Sequence, residues 1–580
     1  MKKFRFIHLL ANLLTLLALV SCGGGDSGGT PLPPPEPPQP PVTGVPPETT
    51  FTSGVITGFG SVFINGVEYE TGGAEISNDD ESGSESDLQL GMFVELSGSI
   101  DDGGVTGTAK SIEYDEQIKG PLESIDLGLK IITILGQVIH YDDLTIMENL
   151  VPEELKPGDF LEVHGFFNQE NELHATRIEL ESIEQAYVRV QGEVFGLNSS
   201  DETFTLNNLI VDYSQAEFHG FDNGAADLVN GVQVRVKGAL TSLVDGVLTV
   251  SDIKRLHRFE EHEEGDLSHI EGVITEFTSS VNFVVNNIVV IAHESTEVEH
   301  GGLDDLSIDS WVKVKGSFDA EGRLVAEKIH IHHSSQLRVE GEVTALNPDM
   351  KTITVIETLF HVTDQTQMHD ESDDEERFFN FESIMVGDFV SVKGFVDSDG
   401  DNIASQIERE NHRDEHHPYV ELKGPVNTIT DSGFTLVGVA VTVNDQTMFK
   451  GAFGEEMERE TFFGQLVDGM ILEVKVIETG DGVVAIRVEI EGEHGDGEGG
   501  EHHMSEFRGQ VEEILENGLL VSGLRVSFTS MTHFEVEDSL ISMAGFLEIV
   551  QIGDDVEVKG MRDGGELIAH KVELEDDSDD

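Results

Sequence analysis

A cassette of short alternating segments recurs seven times along the 580 residues. It is clearest at residues 270–331, which open IEGVI, continue through FVVNNIVVI and WVKVKG, and close LVAEKIHI. Alternation of apolar and polar residues over such short runs predicts strands with one face in a core. Repetition at this spacing restricts the chain to a series of similar small β units.

A two-residue turn recurs near the start of each unit. It is Asn65-Gly66 in the first unit and Asn286-Asn287 in the fourth. Asn and Gly tolerate the positive φ that a two-residue hairpin requires, so a hairpin is predicted at this place in every unit. The fifth unit has Ile356-Glu357 there, without the usual turn chemistry, and gives the weakest prediction.

The rest of each unit is a polar insert, a strand such as VKVKG, a turn and a last strand such as VAEKIHI. The glycine that ends the fourth strand predicts a bulge or sharp bend. The order is therefore five strands with an irregular or helical insert between the third and the fourth, which is the chain order of an OB-fold. We expect an all-β protein of seven tandem five-stranded OB-like barrels, with small open sandwiches or sheets as the alternative.

The cassettes divide the chain into seven predicted units, numbered here repeats 1 to 7. They span residues 54–116, 118–182, 188–257, 269–333, 337–411, 420–492 and 506–576. A unit of this size without a disulfide buries only about 60% of its unfolded surface. Neighbouring repeats are therefore expected to pack, above all the first two, whereas a fully extended string would approach ~200 Å.

The N-terminus has the pattern of an export signal. A basic start precedes an apolar run from about Leu9 to Val20, which is too short to span a bilayer. The run ends in LVSC, which is similar to a bacterial lipoprotein box, and Cys22 is the only cysteine of the chain. We expect residues 1–21 to be a signal peptide and Cys22 to be the site of lipid attachment. The alternative is an ordinary secretory signal with a chance cysteine.

Residues 22–50 are predicted to be a disordered Gly/Pro tether, since Gly/Ser stretches are flexible and Pro tracts are extended. Gly23 follows Cys22, and in lipoproteins of Gram-negative bacteria the lack of Asp at this position implies transport to the outer membrane. We therefore expect an exported, lipid-anchored protein on the periplasmic or surface face of that membrane.

The chain is strongly acidic, with 112 Asp and Glu against 34 Lys and Arg and a net charge of −78. Such a field repels phosphate backbones and favours cations or basic partners, although it also serves solubility alone. Lysines recur at one point of the fourth strand, but acids outnumber each of them. These lysines are 237, 315, 393, 475 and 559. We expect them to pair locally, and we expect no nucleic-acid partner.

Histidines accumulate at four junctions between repeats, among acidic residues. They are His257, His262 and His269; His330, His332 and His333; His412, His416 and His417; and His494, His502 and His503. Imidazole with carboxylate suits Zn, Ni or Cu(II), so a divalent-metal site at the junctions is one hypothesis. Solvated linkers and pH sensing are the alternatives. No other cofactor is expected.

No catalytic motif stands out. Residues 495–500, GDGEGG, satisfy GxGxxG, but they follow no βα unit and carry acids where a pyrophosphate would lie. HExxH and the P-loop are absent from the sequence. We expect a non-enzymatic binding or scaffolding protein. A metal-sequestering lipoprotein and an array of glycan-binding modules are the alternatives, because OB-fold surfaces can hold oligosaccharides.

The pattern GxVxx(I/F)…V(x)VxG…AxxI, behind a lipoprotein box and a tether, resembles a family of bacterial exported lipoproteins known only as a domain of unknown function. The resemblance extends from Gly54 to Leu574 and is clearest in repeats 1, 2 and 4. Repeats 6 and 7 drift from it, through Val476 and a longer insert. The resemblance implies an envelope location, a membrane contact through the lipidated N-terminus and small β domains, and it brings no activity.

Overall fold

The computed structural model confirms the all-β prediction, with only two short α-helices in the described part of the chain. The structure describes residues 50–78, 81–101, 104–182, 187–244, 246–256, 263–373, 376–411, 419–451, 456–479, 482–491, 504–515, 517–536, 539–563 and 566–574. Among these residues no helix combines the length and the apolar character needed to cross a bilayer.

Repeats 1 to 3 contain the first 22 strands. In repeat 1 these are β1 Thr50–Phe59, β2 Val62–Ile64, β3 Val67–Glu70, β4 Glu75–Asn78, β5 Glu81–Ser82, β6 Phe93–Ile100 and β7 Thr106–Tyr114. In repeat 2 they are β8 Ile118–Asp126, β9 Ile131–Ile134, β10 Gln137–His140, β11 Ile146–Glu148, β12 Phe160–Phe167 and β13 Leu173–Leu180. In repeat 3 they are β14 Tyr187–Glu193, β15 Phe195–Asn198, β16 Thr203–Leu206, β17 Leu209–Asp212, β18 Glu217–His219, β19 Gln233–Ala239, β20 Leu243–Val244, β21 Val247–Thr249 and β22 Asp252–Arg255.

The other strands belong to repeats 4 to 7. Repeat 4 has β23 Leu267–Ser279, β24 Asn282–Val285, β25 Ile288–Ile291, β26 Glu297–Glu299, β27 Trp311–Phe318 and β28 Leu324–Ile331. Repeat 5 has β29 Leu337–Asn347, β30 Thr352–Val355, β31 Thr358–Asp370, β32 Phe389–Val396 and β33 Asn402–Glu410. Repeat 6 has β34 Val420–Thr430, β35 Gly433–Leu436, β36 Val439–Thr442, β37 Met448–Lys450, β38 Glu456–Met457, β39 Ile471–Thr479 and β40 Gly482–Ile490. Repeat 7 has β41 Met504–Leu515, β42 Gly518–Val521, β43 Leu524–Val536, β44 Ser539–Ile541, β45 Asp555–Asp563 and β46 Glu566–Leu574.

The main strands of a repeat pair in a closed circuit. In repeat 1 the order is β1-β2-β3-β7-β6, and β6 returns to β1. Every contact of this circuit is antiparallel except that of the third strand with the last, β3 with β7. Repeats 2, 4, 5, 6 and 7 have the same circuit. In repeat 3 it is interrupted, because three of its strands are each broken in two.

Both local backbone predictions are confirmed. The first residue of the hairpin turn has a positive φ in all seven repeats, from Asn65 at 52° to Ser522 at 43°. Ile356 also has a positive φ, 54°, which is costly for a β-branched side chain. The fourth strand bulges at its glycine in repeats 1, 2, 4, 5 and 7. At Gly394 a Cβ would lie 1.9 Å from the carbonyl oxygen of Ile403, so a side chain is excluded there.

The insert between the third and fourth strands is more regular than the sequence indicated. In repeats 1 to 4 and 6 it contains a short strand, here called the insert strand, which pairs in parallel with the last strand of the same repeat. In repeats 5 and 7 the C-terminal end of the long third strand does this instead. A 3₁₀ helix follows in repeats 1 to 5. The α-helices follow in the last two repeats, α1 Arg459–Gln465 and α2 Met543–Ile549.

The first strands join the repeats to one another. β1 pairs in parallel with β23, which links repeat 1 to repeat 4. β8 pairs with both β14 and β41, and β29 pairs with β34. The sequence predicted packing between neighbours, but repeats 1 and 4, and 2 and 7, are distant along the chain. Apolar cores run through repeats 2 and 3 and through repeats 5 and 6, whereas repeats 1, 4 and 7 have cores of their own.

Candidate binding groove between repeats 1, 2 and 5

Four of the predicted metal-site histidines lie in the described part of the chain: His269, His330, His332 and His333. The other predicted site residues lie outside the described residues. These are Cys22, His257, His262, His412, His416, His417, His494, His502 and His503.

His269 is buried at the contact between two repeats. It lies in β23, opposite Thr52 of β1, and only 5% of its surface is exposed. Burial, together with the charge of Lys315, lowers the pKa of His269 to about 3. The imidazole is therefore neutral at physiological pH.

The other three predicted histidines in the described part of the chain, His330, His332 and His333, line a small cavity where repeats 1, 2, 4 and 5 meet. His332 stacks on Trp311 with ring centroids 3.8 Å apart. Its Nε2 is enclosed and has no hydrogen-bond partner among the described residues, and burial keeps the pKa of His332 well below its ordinary value. His333 Nε2 lies 2.7 Å from the carbonyl oxygen of His300. The cavity of about 70 Å³ has room for a few water molecules.

The ring nitrogens of His330, His332 and His333 do not converge on a point where they could share a metal ion. Among the described residues, one group of three or more ligating side chains has its donor atoms within 4.8 Å of one another, and it consists of Glu217, His219 and Asp252. It contains none of the twelve predicted histidines. Metal binding by those histidines stays a prediction.

A larger cavity, of about 610 Å³, lies between repeats 1, 2 and 5 and is called here the groove. Sites for small ligands usually measure about 300–1,000 Å³ and favour the boundaries between domains. The insert of each of these repeats contributes to the lining: the 3₁₀ helix Glu85–Asp87 and the residues after it, β11 with the 3₁₀ helix Pro152–Glu154, and residues 368–371, 376 and 377.

Two arginines hold the groove together. Arg177 of repeat 2 is 1% exposed and donates through Nη1 to the carbonyl oxygen of Leu90 in repeat 1, at 3.2 Å. Its Nη2 contacts the carboxylate of Glu179 at 2.7 Å. Arg377 of repeat 5 donates to the carbonyl oxygens of Glu85 and Leu88 at 2.6 and 2.8 Å. Repeats 2 and 5 are thus each fixed to repeat 1.

Acidic side chains dominate the polar lining. The carboxylates are Glu148, Glu154, Asp370, Glu371 and Glu376. Arg409 from the neighbouring strand β33 pairs with Asp370 and Glu376, and it holds the pKa of Asp370 well below its ordinary value against the effect of burial. Arg377 lies on backbone carbonyls, and within the described residues no basic side chain pairs with Glu154. The groove therefore keeps an excess of negative charge.

His369 adds a titratable group to this lining. Its Nδ1 lies 3.4 Å from the carboxylate of Glu371. Burial opposes its protonation, but Glu371 and the charges of Glu408 and Glu148 outweigh that effect and raise the pKa of His369 above its ordinary value. Protonation of His369 would make the groove less negative as the pH falls.

The rest of the lining is apolar. It consists of Phe59, Leu90, Met147, Leu150, Val151 and Met368. Val151 is 51% exposed and offers apolar surface at the groove. Methionines adapt to ligands of different shape because their side chains are unbranched and polarizable. The groove thus combines carboxylates with an adaptable apolar surface.

The sequence did not single out the groove residues. Glu154 and Glu371 lie more than two hundred residues apart, in inserts that have no periodic pattern, and acids are common throughout the chain. The polar inserts themselves were visible in the sequence. Their meeting depends on the contacts of Arg177 and Arg377, which the sequence does not reveal.

Comparison with known families identifies the repeat. The family described as Domain of unknown function (DUF5666) matches residues 119–179, 271–330, 340–408, 423–489 and 508–573, which together make up more than half of the chain. The chain belongs to this family. A search of the curated proteins found none that matches it.

The family comparison bears out tandem repetition of a domain of unknown function and corrects one detail. Repeats 6 and 7, which the sequence analysis placed at the margin of the resemblance, are both matched. Repeat 1, which was expected to be among the clearest, is not among the matched ranges, and neither is repeat 3. Loss of the glycine at Val476 therefore does not remove repeat 6 from the family.

Proposed function

We propose that this protein is a non-enzymatic binding protein of the cell envelope, which holds an organic cation with an apolar portion in the groove between repeats 1, 2 and 5. The observation that carries the proposal is the composition of the groove. Carboxylates from two repeats face one cavity of about 610 Å³ beside an apolar wall, and the lining residue Arg377 donates to backbone carbonyls rather than to these carboxylates.

The charge of the groove selects the sign of the ligand. A cleft with an excess of one charge concentrates ligands of the opposite sign and repels those of the same sign. The net charge of −78 acts in the same direction over the whole surface. An ammonium group placed between Glu154 and Glu371 would meet one carboxylate that has no described basic partner and one that His369 contacts, and methylene groups would lie against Met147 and Met368.

The repeats themselves are interpreted as seven OB-like barrels. The closed circuit of five strands, with the insert between the third and the fourth, supports this assignment. An OB-like fold does not specify a ligand, because one fold hosts many functions. In this chain the inserts, rather than the barrel interiors, form the groove.

The envelope location rests on the N-terminal sequence. Cleavage before Cys22 and its acylation would anchor the protein by burying methylene groups in the membrane. The Gly/Pro tether would separate the repeats from the outer membrane. The oligosaccharide alternative rests on the fold class alone, and the junction histidines remain the basis of the metal-sequestering alternative.

A calorimetric titration with spermidine tests the proposal. The protein would be the chain from residue 22 onward with the change Cys22→Ser, at low ionic strength. We expect saturable binding of one spermidine per chain, weakened by added salt because the attraction is between charges. Heats that never saturate would show only diffuse attraction to an acidic surface and would contradict the proposal.

A further inference from the structure

One position of the last strand carries a basic side chain in four of the seven repeats. It is the first residue of the last strand that pairs with the insert strand or, in repeat 7, with the C-terminal end of the third strand. These residues are Arg177, Lys328, Arg487 and Lys571. Lys328 contacts Glu299 at 2.5 Å, and Lys571 contacts Glu535 and Glu573 at 2.8 and 2.7 Å. In these repeats a cationic side chain therefore bonds the carboxylates around it. Repeats 1 and 5 have the uncharged Ser111 and Gln406 at this position.

Repeat 3 has a carboxylate at this position. Asp252 begins β22 and lies directly opposite Glu217 of the insert strand β18. Phe218 and Ile253, the next residues of the two strands, contribute to the apolar core, so Glu217, His219 and Asp252 are on the outward face. Their donor atoms all lie within 4.8 Å of one another. Two carboxylates and an imidazole thus surround the place that a lysine or arginine occupies in other repeats.

Two lysines opposite the cluster in the register, Lys254 and Lys237, also contact other groups. Lys254, opposite His219 in the register, has its Nζ 3.3 Å from the carboxylate of Glu113 in repeat 1. Lys237, on the antiparallel neighbour β19, has its Nζ 4.5 Å from the ring centre of Tyr187. Adjacent like charges across a strand pair are destabilising unless a cation lies between them. Glu217 and Asp252 are such a pair.

We propose that Glu217, His219 and Asp252 bind a divalent transition-metal ion, of the class of Zn(II) or Ni(II), in place of the cationic side chain of the other repeats. Imidazole with carboxylates is a ligand set for these metals, and water would complete the coordination of an exposed site. His219 Nε2 lies 3.3 Å from Asp252 Oδ1. Two ligands on one tetrahedral zinc ion are about 3.4 Å apart, given metal–ligand distances of about 2.1 Å.

This site differs from the predicted junction sites and does not depend on the groove. His219 lies within repeat 3, and none of the twelve junction histidines belongs to the cluster. The sequence did contain a signal for it. The last strands align as HATRIEL, VAEKIHI, VAIRVEI and IAHKVEL, and TVSDIKRL is the one among them with Asp at the basic position.

Calorimetric titration with ZnCl₂ and with NiCl₂ tests the site, again on the chain from residue 22 onward with Cys22→Ser. We expect one binding step tighter than about 100 μM, since a weaker step would not be distinguished from diffuse attraction to the acidic surface. His219→Ala should weaken this step at least tenfold. Asp252→Lys, which introduces the residue of repeat 4, should abolish it.

A matched control is His293→Ala, which removes an exposed histidine of repeat 4. It should leave the step unchanged. His219 and His293 are exposed and Asp252 is half-buried, and circular dichroism melting curves establish that the variants are folded. Titrations of His219→Ala and Asp252→Lys that match the unaltered chain would overturn the proposal. An equal loss in His293→Ala would also overturn it.

Discussion

The carboxylate of Glu271 in repeat 4 accepts a hydrogen bond from the backbone N–H of Val55 in repeat 1, with Oε2 and N 2.8 Å apart. Its other oxygen accepts from the indole N–H of Trp311 at 3.2 Å, and the ammonium of Lys313 lies 3.6 Å away. Glu271 is 1% exposed. Beside it, the parallel pairing of β1 with β23 joins the two repeats. A buried and fully partnered carboxylate thus connects segments that are 216 residues apart.

We therefore predict that Glu271→Ala destabilises the whole protein. The change leaves the N–H groups of Val55 and Trp311 buried without acceptors and Lys313 without its anion, which should cost about 2–4 kcal/mol. Urea unfolding monitored by circular dichroism measures the cost. Glu276→Ala, at an exposed position of the same strand, is the control and should change the free energy of unfolding by less than about 0.5 kcal/mol. Equal effects of the two changes would contradict this role of Glu271.

Arg177 should matter far more than an exposed arginine that also forms ion pairs. Arg177→Ala removes bonds to Leu90 and Glu179 from a fully buried position, and we expect a loss of about 3 kcal/mol or more. Arg323 pairs with Asp319 in an exposed turn, so Arg323→Ala should change the free energy of unfolding far less than Arg177→Ala does. Urea unfolding of both variants makes the comparison. A small effect at Arg177 would mean that repeats 1 and 2 are not fixed through this residue.

Stability should fall on acidification partly because of His269. Its pKa of about 3 in the folded protein is lower than the ordinary value, so the unfolded chain binds a proton first as the pH falls. The stability that neutral His269 contributes is complete above a pH of about 6.5 and is lost progressively down to about 3. Between pH 6 and 4.5 the unaltered protein should lose about 2 kcal/mol more than His269→Gln. Urea unfolding of both proteins at several pH values cancels the other titrating groups, and parallel curves would contradict the assignment.

Membrane retention should depend on Cys22. Cys22→Ser removes the predicted acylation site, and the protein should move from the membrane pellet to the soluble fraction of the envelope without a change in its melting temperature. Fractionation followed by immunodetection measures this. If the variant still sediments with membranes after its signal peptide is removed, the anchor prediction is wrong.

The features that could be predicted from the sequence are those determined by neighbouring residues. Asn65-Gly66 predicts a hairpin because both residues accept a positive φ, and the register of the first three strands follows from it. The bulge at Gly394 could also be predicted locally, because a glycine within a strand often marks a bulge. At Ile356 the turn forms without favourable residues, because pairing of β30 with β31 on both sides imposes it.

The contacts between repeats could not be predicted. Glu271 looks like an ordinary outward-facing acid of an alternating strand, and its role depends on a first strand more than two hundred residues away. The same holds for Arg377, whose acceptors are backbone carbonyls and carry no sequence signal. Asp252 is the exception, since alignment of the last strands already shows that it replaces a basic residue.

Binding of an organic cation in the groove between repeats 1, 2 and 5 is tested most directly by a comparison of two charge-matched variants. One variant carries Glu154→Gln and Glu371→Gln in the groove. The other carries Glu342→Gln and Glu382→Gln at exposed positions of repeat 5. Calorimetry should give a dissociation constant for spermidine at least tenfold weaker for the groove variant, and an unchanged constant for the surface variant. Equal constants for both variants would contradict the account.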